Sequence, residues 1–150
     1  MERRELLRSV GGVAALTLFA GCSSVTGPGP EATAEEYIQA LSEDDEETYE
    51  SLLHPEVSFL PIGVGGEGLT VNTVEQRDVE AYLSQSGEPT DSEIDTFEQD
   101  IQEEIDEIGA DGYALVYYDI EYEQWRDVTG YSTDGYLMLV QSDGEWLIYA

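Results

Sequence analysis

The chain has 150 residues, 34 acids and five bases, a net charge of −29. That balance excludes a nucleic-acid partner, which needs a basic stripe, and the length suits one domain. A hydrophobic fraction of 41% and ten tyrosines exclude wholesale disorder. The single cysteine excludes a disulfide framework, and with the single histidine it excludes the usual zinc sites.

The bases are unevenly placed. Arg3, Arg4 and Arg8 open the chain, and Val10 to Ala20 is apolar. Eleven residues are too few to span roughly 30 Å of hydrocarbon but suit the apolar part of a signal peptide. The Arg3-Arg4 pair resembles a twin-arginine export signal, and Leu18-Phe19-Ala20-Gly21-Cys22 resembles the lipobox of secreted lipoproteins. The resemblance implies cleavage before Cys22 and a lipid on its thiol, placing the mature protein on the outer side of the cell membrane. Stable anchoring then calls for two acyl chains. Residues 1–21 are therefore expected to be a signal peptide and 22–31 a Ser/Gly/Pro-rich tether, with one domain over 32–150. Glu2 and Glu5 are the only acids before Cys22, so 32 acids face two arginines beyond it, a net of −30. Such a surface predicts adaptation to high salt, as in halophilic archaea.

Ala34, Tyr37, Ile38 and Leu41 share one helical face, with Thr33 and Glu36 spaced as a capping box. Asp44 or Asp45 caps a second helix carrying Tyr49, Leu52 and Leu53. His54-Pro55 ends it, and a short strand is expected at Val57 to Leu60. The glycines of Pro61 to Gly68 match neither a phosphate loop nor a dinucleotide fingerprint, so they form a connector and imply no cofactor. Val74 to Ser84 reads as a helix with Val79, Tyr82 and Leu83 inward. Asp91 or Ser92 caps a longer one with a stripe of Ile94, Phe97, Ile101, Ile105 and Ile108, ending at Gly109.

The last third is β. Ala114, Val116, Tyr118, Ile120 and Tyr122 alternate with Tyr117, Asp119, Glu121 and Glu123, the pattern of a half-buried strand. A turn at Asp127 to Gly130, a strand at Tyr136 to Gln141, a hairpin at Asp143-Gly144 and a strand at Glu145 to Ala150 complete an antiparallel meander. The fold class is α+β, with N-terminal helices on a curved sheet of three to five strands.

The opening helices, Ala34 to Leu41 and Tyr49 to Glu56, and the closing hairpin, Gly135 to Val140 with Asp143-Gly144-Glu145-Trp146, resemble the NTF2-like (SnoaL-like) superfamily. The resemblance implies a cone with a pocket at its open end, and a choice between small pocket enzymes and non-catalytic binding domains. In its isomerases a carboxylate moves a proton while a tyrosine stabilises the enolate. Asp119, Tyr118, Tyr122 and Tyr136 are of those types, and His54 is a further candidate base. Alternation turns Asp119 away from the apolar face, and a helix-end histidine is ordinarily structural. The expected role is therefore non-catalytic binding of a small molecule or partner, with an isomerase or hydrolyase as the alternative. A homodimer through Tyr113, Leu115 and Tyr117 on the outer sheet face is the third reading. The acid runs fit no EF-hand spacing, so no metal is expected.

Overall fold

The computed structural model describes residues 27–57, 60, 62 and 65–150. The expected export signal, Arg3, Arg4 and Cys22 lie outside them. Helix α1 spans Pro30–Ser42 and α2 spans Glu46–Ser51. Strand β1, Glu67–Arg77, leads to a short helix α3, Val79–Leu83, and a 3-10 turn, Ser84–Ser86. Helix α4, Asp91–Ile108, precedes β2, Gly112–Trp125, β3, Val128–Ser142, and β4, Glu145–Ile148. The four strands form one antiparallel meander in the order β1-β2-β3-β4. The helices pack on this curved sheet, giving the α+β, NTF2-like cone that the sequence predicts.

Helix α1 starts earlier than its expected Thr33 cap. Pro30 occupies the first turn, where its fixed φ and missing N–H cost nothing, and Gly29 is the N-cap without a side-chain bond. Thr33 is thereby free to face the core, where it is buried. Asp45 does cap α2: its carboxylate accepts from the Thr48 backbone N–H at 3.3 Å and the Thr48 hydroxyl at 2.7 Å. The strand expected at 57–60 falls partly outside the described residues, and neither Val57 nor Leu60 is in a strand. Nearby, Leu53 instead makes one parallel bridge to Ile148.

The helix expected over Val74 to Ser84 forms only from Val79 onward, and Val74 to Arg77 belong to β1. Leu69 pairs with Tyr122 and Val71 with Ile120, and then a bulge at Asn72 shifts the register so that Val74 pairs with Tyr118. Leu69, Val71 and Val74 all pack on the main core. The extra residue restores an inward valine after three positions, a spacing that imitates a helix. The true helix begins after Asp78, whose carboxylate accepts from the Ala81 N–H at 2.8 Å. In α4 the cap is Thr90, not Asp91 or Ser92, and Thr90 and Glu93 exchange both bonds of a capping box. Gly109 ends α4 in the left-handed region at φ 73°, as its position predicts.

The turn expected at Asp127 to Gly130 is tighter, because Trp125 already pairs with Val128 across Arg126-Asp127. Strand β3 therefore begins eight residues before Tyr136. Asp143 (φ 52°) and Gly144 (φ 82°) form the predicted hairpin turn. Strand β4 ends at Ile148, two residues short of the expected limit, although Tyr149 and Ala150 still exchange backbone bonds with Met138.

The sheet has two unlike faces. On the inner face Val116, Tyr118, Ile120 and Tyr122 of β2 join Leu137 and Leu139 of β3 and pack with Tyr37, Ile38 and Leu41 of α1. Each such large apolar side chain contributes about 1.5–3 kcal/mol through burial. On the outer face α4 packs its Ile101 and Ile105 over one half of the sheet, where Leu115 and Val140 are buried. Of the three residues named for a dimer surface, Leu115 is 3% exposed beneath the chain's own helix, whereas Tyr113 and Tyr117 are half-buried. The other half of the outer face carries Asp119, Glu121 and Asp134, of which Asp119 is half-buried and the other two exposed. Among the described residues no helix is long and apolar enough to cross a membrane.

Candidate functional site

The sheet separates the sequence-predicted site residues. Tyr118 and Tyr122 belong to the inner core, whereas Asp119 and Tyr136 stand on the outer face by strand alternation. Asp119 pairs across the ladder with Asp134, and Tyr136 with Tyr117. His54 sits elsewhere, at the end of α2. Its backbone N–H donates to Ile148 at 2.8 Å, and its Nδ1 accepts from the Glu56 N–H at 3.1 Å. Its ring meets Tyr149 edge-on with centroids 5.6 Å apart. These contacts are those of a buried histidine that fixes the chain end, and the candidates do not converge on one reacting centre.

The inner face carries a different feature. The hydroxyls of Tyr37 and Tyr122 are buried and have no hydrogen-bond partner among the described residues. An unmade bond of this kind costs about 1–3 kcal/mol, so two in one core call for a reason. Burial pushes the Tyr37 phenol up to about 12, a rise that the backbone of Ile62 partly offsets. Burial likewise raises Tyr118 and Tyr122. At the end of the sheet Tyr122, Trp125 and Tyr131 form a run of rings, with centroids 5.0 Å apart for the first pair and 5.7 Å for the second. Trp125 and Tyr131 are nearly parallel, at 23°.

Gly66 closes against this run. At φ +100° a side chain there is strained, and an added Cβ would stand 2.5 Å from the Tyr122 ring and 2.8 Å from Trp125. Gly65 ties the same segment to α1 through a bond to the Leu41 carbonyl at 3.2 Å. Gly66 thus serves the close approach of backbone to aromatic faces. Sequence periodicity missed this group. Tyr37 reads as an ordinary core residue, and Trp125 meets Tyr131 only because the two-residue turn sets the β2–β3 register.

A hollow lies on the outer face. Tyr82, Phe97, Ile101, Leu115, Tyr136 and Met138 wall a cleft of about 310 Å³ between α4 and the sheet. The Tyr82 ring is 5.1 Å from both Phe97 and Tyr136. A neighbouring hollow of about 430 Å³ lies between the 3-10 turn and the start of α4, sharing Tyr82 and Phe97. Among the described residues no group of three His, Cys, Asp or Glu is placed to hold a metal.

No curated protein and no solved structure shows a significant match to this sequence. A family model does match, over residues 30–150, from the first residue of α1 to the end of the chain. Four-fifths of the sequence, and every described helix and strand, fall within that match, so the chain belongs to the family described as "Putative lumazine-binding".

Proposed function

We propose that the protein is a lipid-anchored, extracytoplasmic binding module that holds a small planar heterocycle at the inner aromatic end of its cone without transforming it. The carrying observation is the pair of buried phenols, Tyr37 and Tyr122, that find no hydrogen-bond partner among the described residues, in the core that also packs Trp125 and Tyr131. A fused heteroaromatic ring offers both what a stacked indole accepts and what an idle hydroxyl lacks: a flat π face and edge hydrogen-bond groups. Lumazine, named in the family's description, has that chemistry. Catalysis has less support, because the nearest candidate acid, Asp119, projects from the opposite face to Tyr118 and Tyr122.

The anchor follows from the N-terminal resemblance. A lipid on Cys22 would hold the domain at the membrane, while its acidic surface stands off anionic headgroups. The arginine pair, Arg3-Arg4, would route the chain outward through the twin-arginine path.

Calorimetric titration with lumazine tests the binding. A saturable 1:1 isotherm, competed by other flat heterocycles, supports the reading, and no heat up to millimolar lumazine sinks it. Fractionation of Cys22→Ser tests the anchor: the variant should leave the membrane fraction and lack the lipid mass.

A further inference from the structure

The outer cleft is walled by three aromatic rings and four apolar side chains, those of Ile101, Leu115, Met138 and Ala150. Its rim adds two carboxylates. Asp100 and Glu104 lie four residues apart, on one face of α4, and both line the cleft. Glu104 is fixed by the Tyr149 hydroxyl, which donates to its Oε1 at 2.6 Å. Asp100 makes no hydrogen bond or ion pair among the described residues. Arg77 lies beside Tyr136, but its guanidinium is taken up by Glu75 and stands 3.8 Å from the centre of the Tyr117 ring. The chain has no lysine that might fill the place.

From this geometry we propose that the cleft is a second ligand site, for an organic cation of the alkylated-ammonium class. Rings of Tyr82, Phe97 and Tyr136 line the cleft, and aromatic π faces attract a diffuse positive charge, while Ile101, Leu115 and Met138 accept its alkyl groups. Asp100 and Glu104 supply the opposite charge at the mouth. A hard inorganic cation is a poor match, since it needs several oxygen ligands at about 2.0–2.6 Å and the walls offer mostly carbon. A cleft of about 310 Å³ suits a small ligand. None of these residues belongs to the inner aromatic group, so the two sites stand or fall separately.

Met138 provides the test. The chain has two methionines, Met1 and Met138, and Met138 lines the cleft. The full-length protein with ¹³C-methyl methionine is titrated with choline at constant molar KCl, where long-range fields are screened beyond about 3 Å. The Met138 methyl signal, identified by its loss in Met138→Leu, should shift saturably with a millimolar Kd. The neutral isostere 3,3-dimethylbutanol should bind at least fivefold more weakly, and Asp100→Asn should weaken choline about threefold without altering the melting temperature. Equal affinity for choline and the neutral isostere would reduce the site to an apolar hollow and overturn the proposal. So would a shift driven by protein concentration alone, which marks a second copy of the chain, or no saturable shift at all.

Discussion

Tyr37→Phe and Tyr122→Phe each delete one oxygen from a side chain that is at most 2% exposed. The ring stays, so packing is kept, and what leaves is a buried hydroxyl with no partner among the described residues. Leaving such a group unsatisfied costs about 1–3 kcal/mol, while removing it from both sides of the balance is neutral to stabilising. Each variant should therefore gain about 1 kcal/mol in the ligand-free protein. For a domain of this size that is a rise of roughly 3–5 °C in melting temperature. Urea unfolding in molar KCl, followed by circular dichroism, should show a higher midpoint with an unchanged slope. Binding should move the other way: if Tyr122 donates to the heterocycle, its loss weakens lumazine about tenfold, or roughly 1.4 kcal/mol. A loss of stability beyond about 0.5 kcal/mol in either variant would mean that the hydroxyl has a partner, Ile62 being the nearest candidate for Tyr37. Stabilised variants that bind lumazine as tightly as the parent would refute the functional reading.

Three further outcomes follow from named contacts. Gly66→Ala sets a Cβ against the Tyr122 and Trp125 rings at a φ of +100° and should cost about 2–4 kcal/mol, read from the same urea curves. The Tyr37 phenol, raised to about 12 in the fold, holds its proton more tightly there than in the unfolded chain. Its contribution is therefore present below about pH 10 and lost as the pH climbs from 10 to 12, up to roughly 2–3 kcal/mol. Melting temperatures across pH 8–12 should fall above 10, less steeply in Tyr37→Phe, and an equal fall in that variant would point to another group. Lowering KCl from 3 M to 0.1 M should depress the melting temperature by tens of degrees, because Asp119 faces Asp134 across the ladder and the longer Debye length, about 10 Å, couples the acids of α4. An unchanged melting temperature would remove the high-salt reading of the charge.

What the sequence made legible was whatever obeys a single period. The α1 stripe of Ala34, Tyr37, Ile38 and Leu41 is buried, and so is the alternation from Ala114 to Tyr122 on β2. Turn chemistry also carried: Asp143-Gly144 is the hairpin and Gly109 the helix stop. The failures share a cause. The bulge at Asn72 breaks the two-residue period and leaves Val71 and Val74 on one side, so a strand imitates a helix. Thr33 has the chemistry of a cap, but Pro30 starts the helix and core burial claims the threonine. The site was less legible still. Aromatic convergence at Trp125 and Tyr131, and the approach of Gly66, depend on register and loop path, which no local window contains.

One consequence joins the charge to the architecture. Helix α4 carries only two fully buried residues, Ile101 and Ile105, in eighteen, and the remainder is largely acidic. It is held to the sheet by a narrow apolar stripe, by Tyr82 packing between Phe97 and Tyr136, and by the Tyr149–Glu104 bond. The inner core instead draws on α1, α2 and all four strands. Self-repulsion therefore acts most strongly where apolar hold is weakest, and α4 should be the first element to open when salt falls. Opening there would empty the outer cleft while leaving the inner aromatic group intact. Hydrogen exchange at reduced KCl should show α4 amides losing protection before those of β2 and α1, and simultaneous loss across all three would show that the two faces are one cooperative unit.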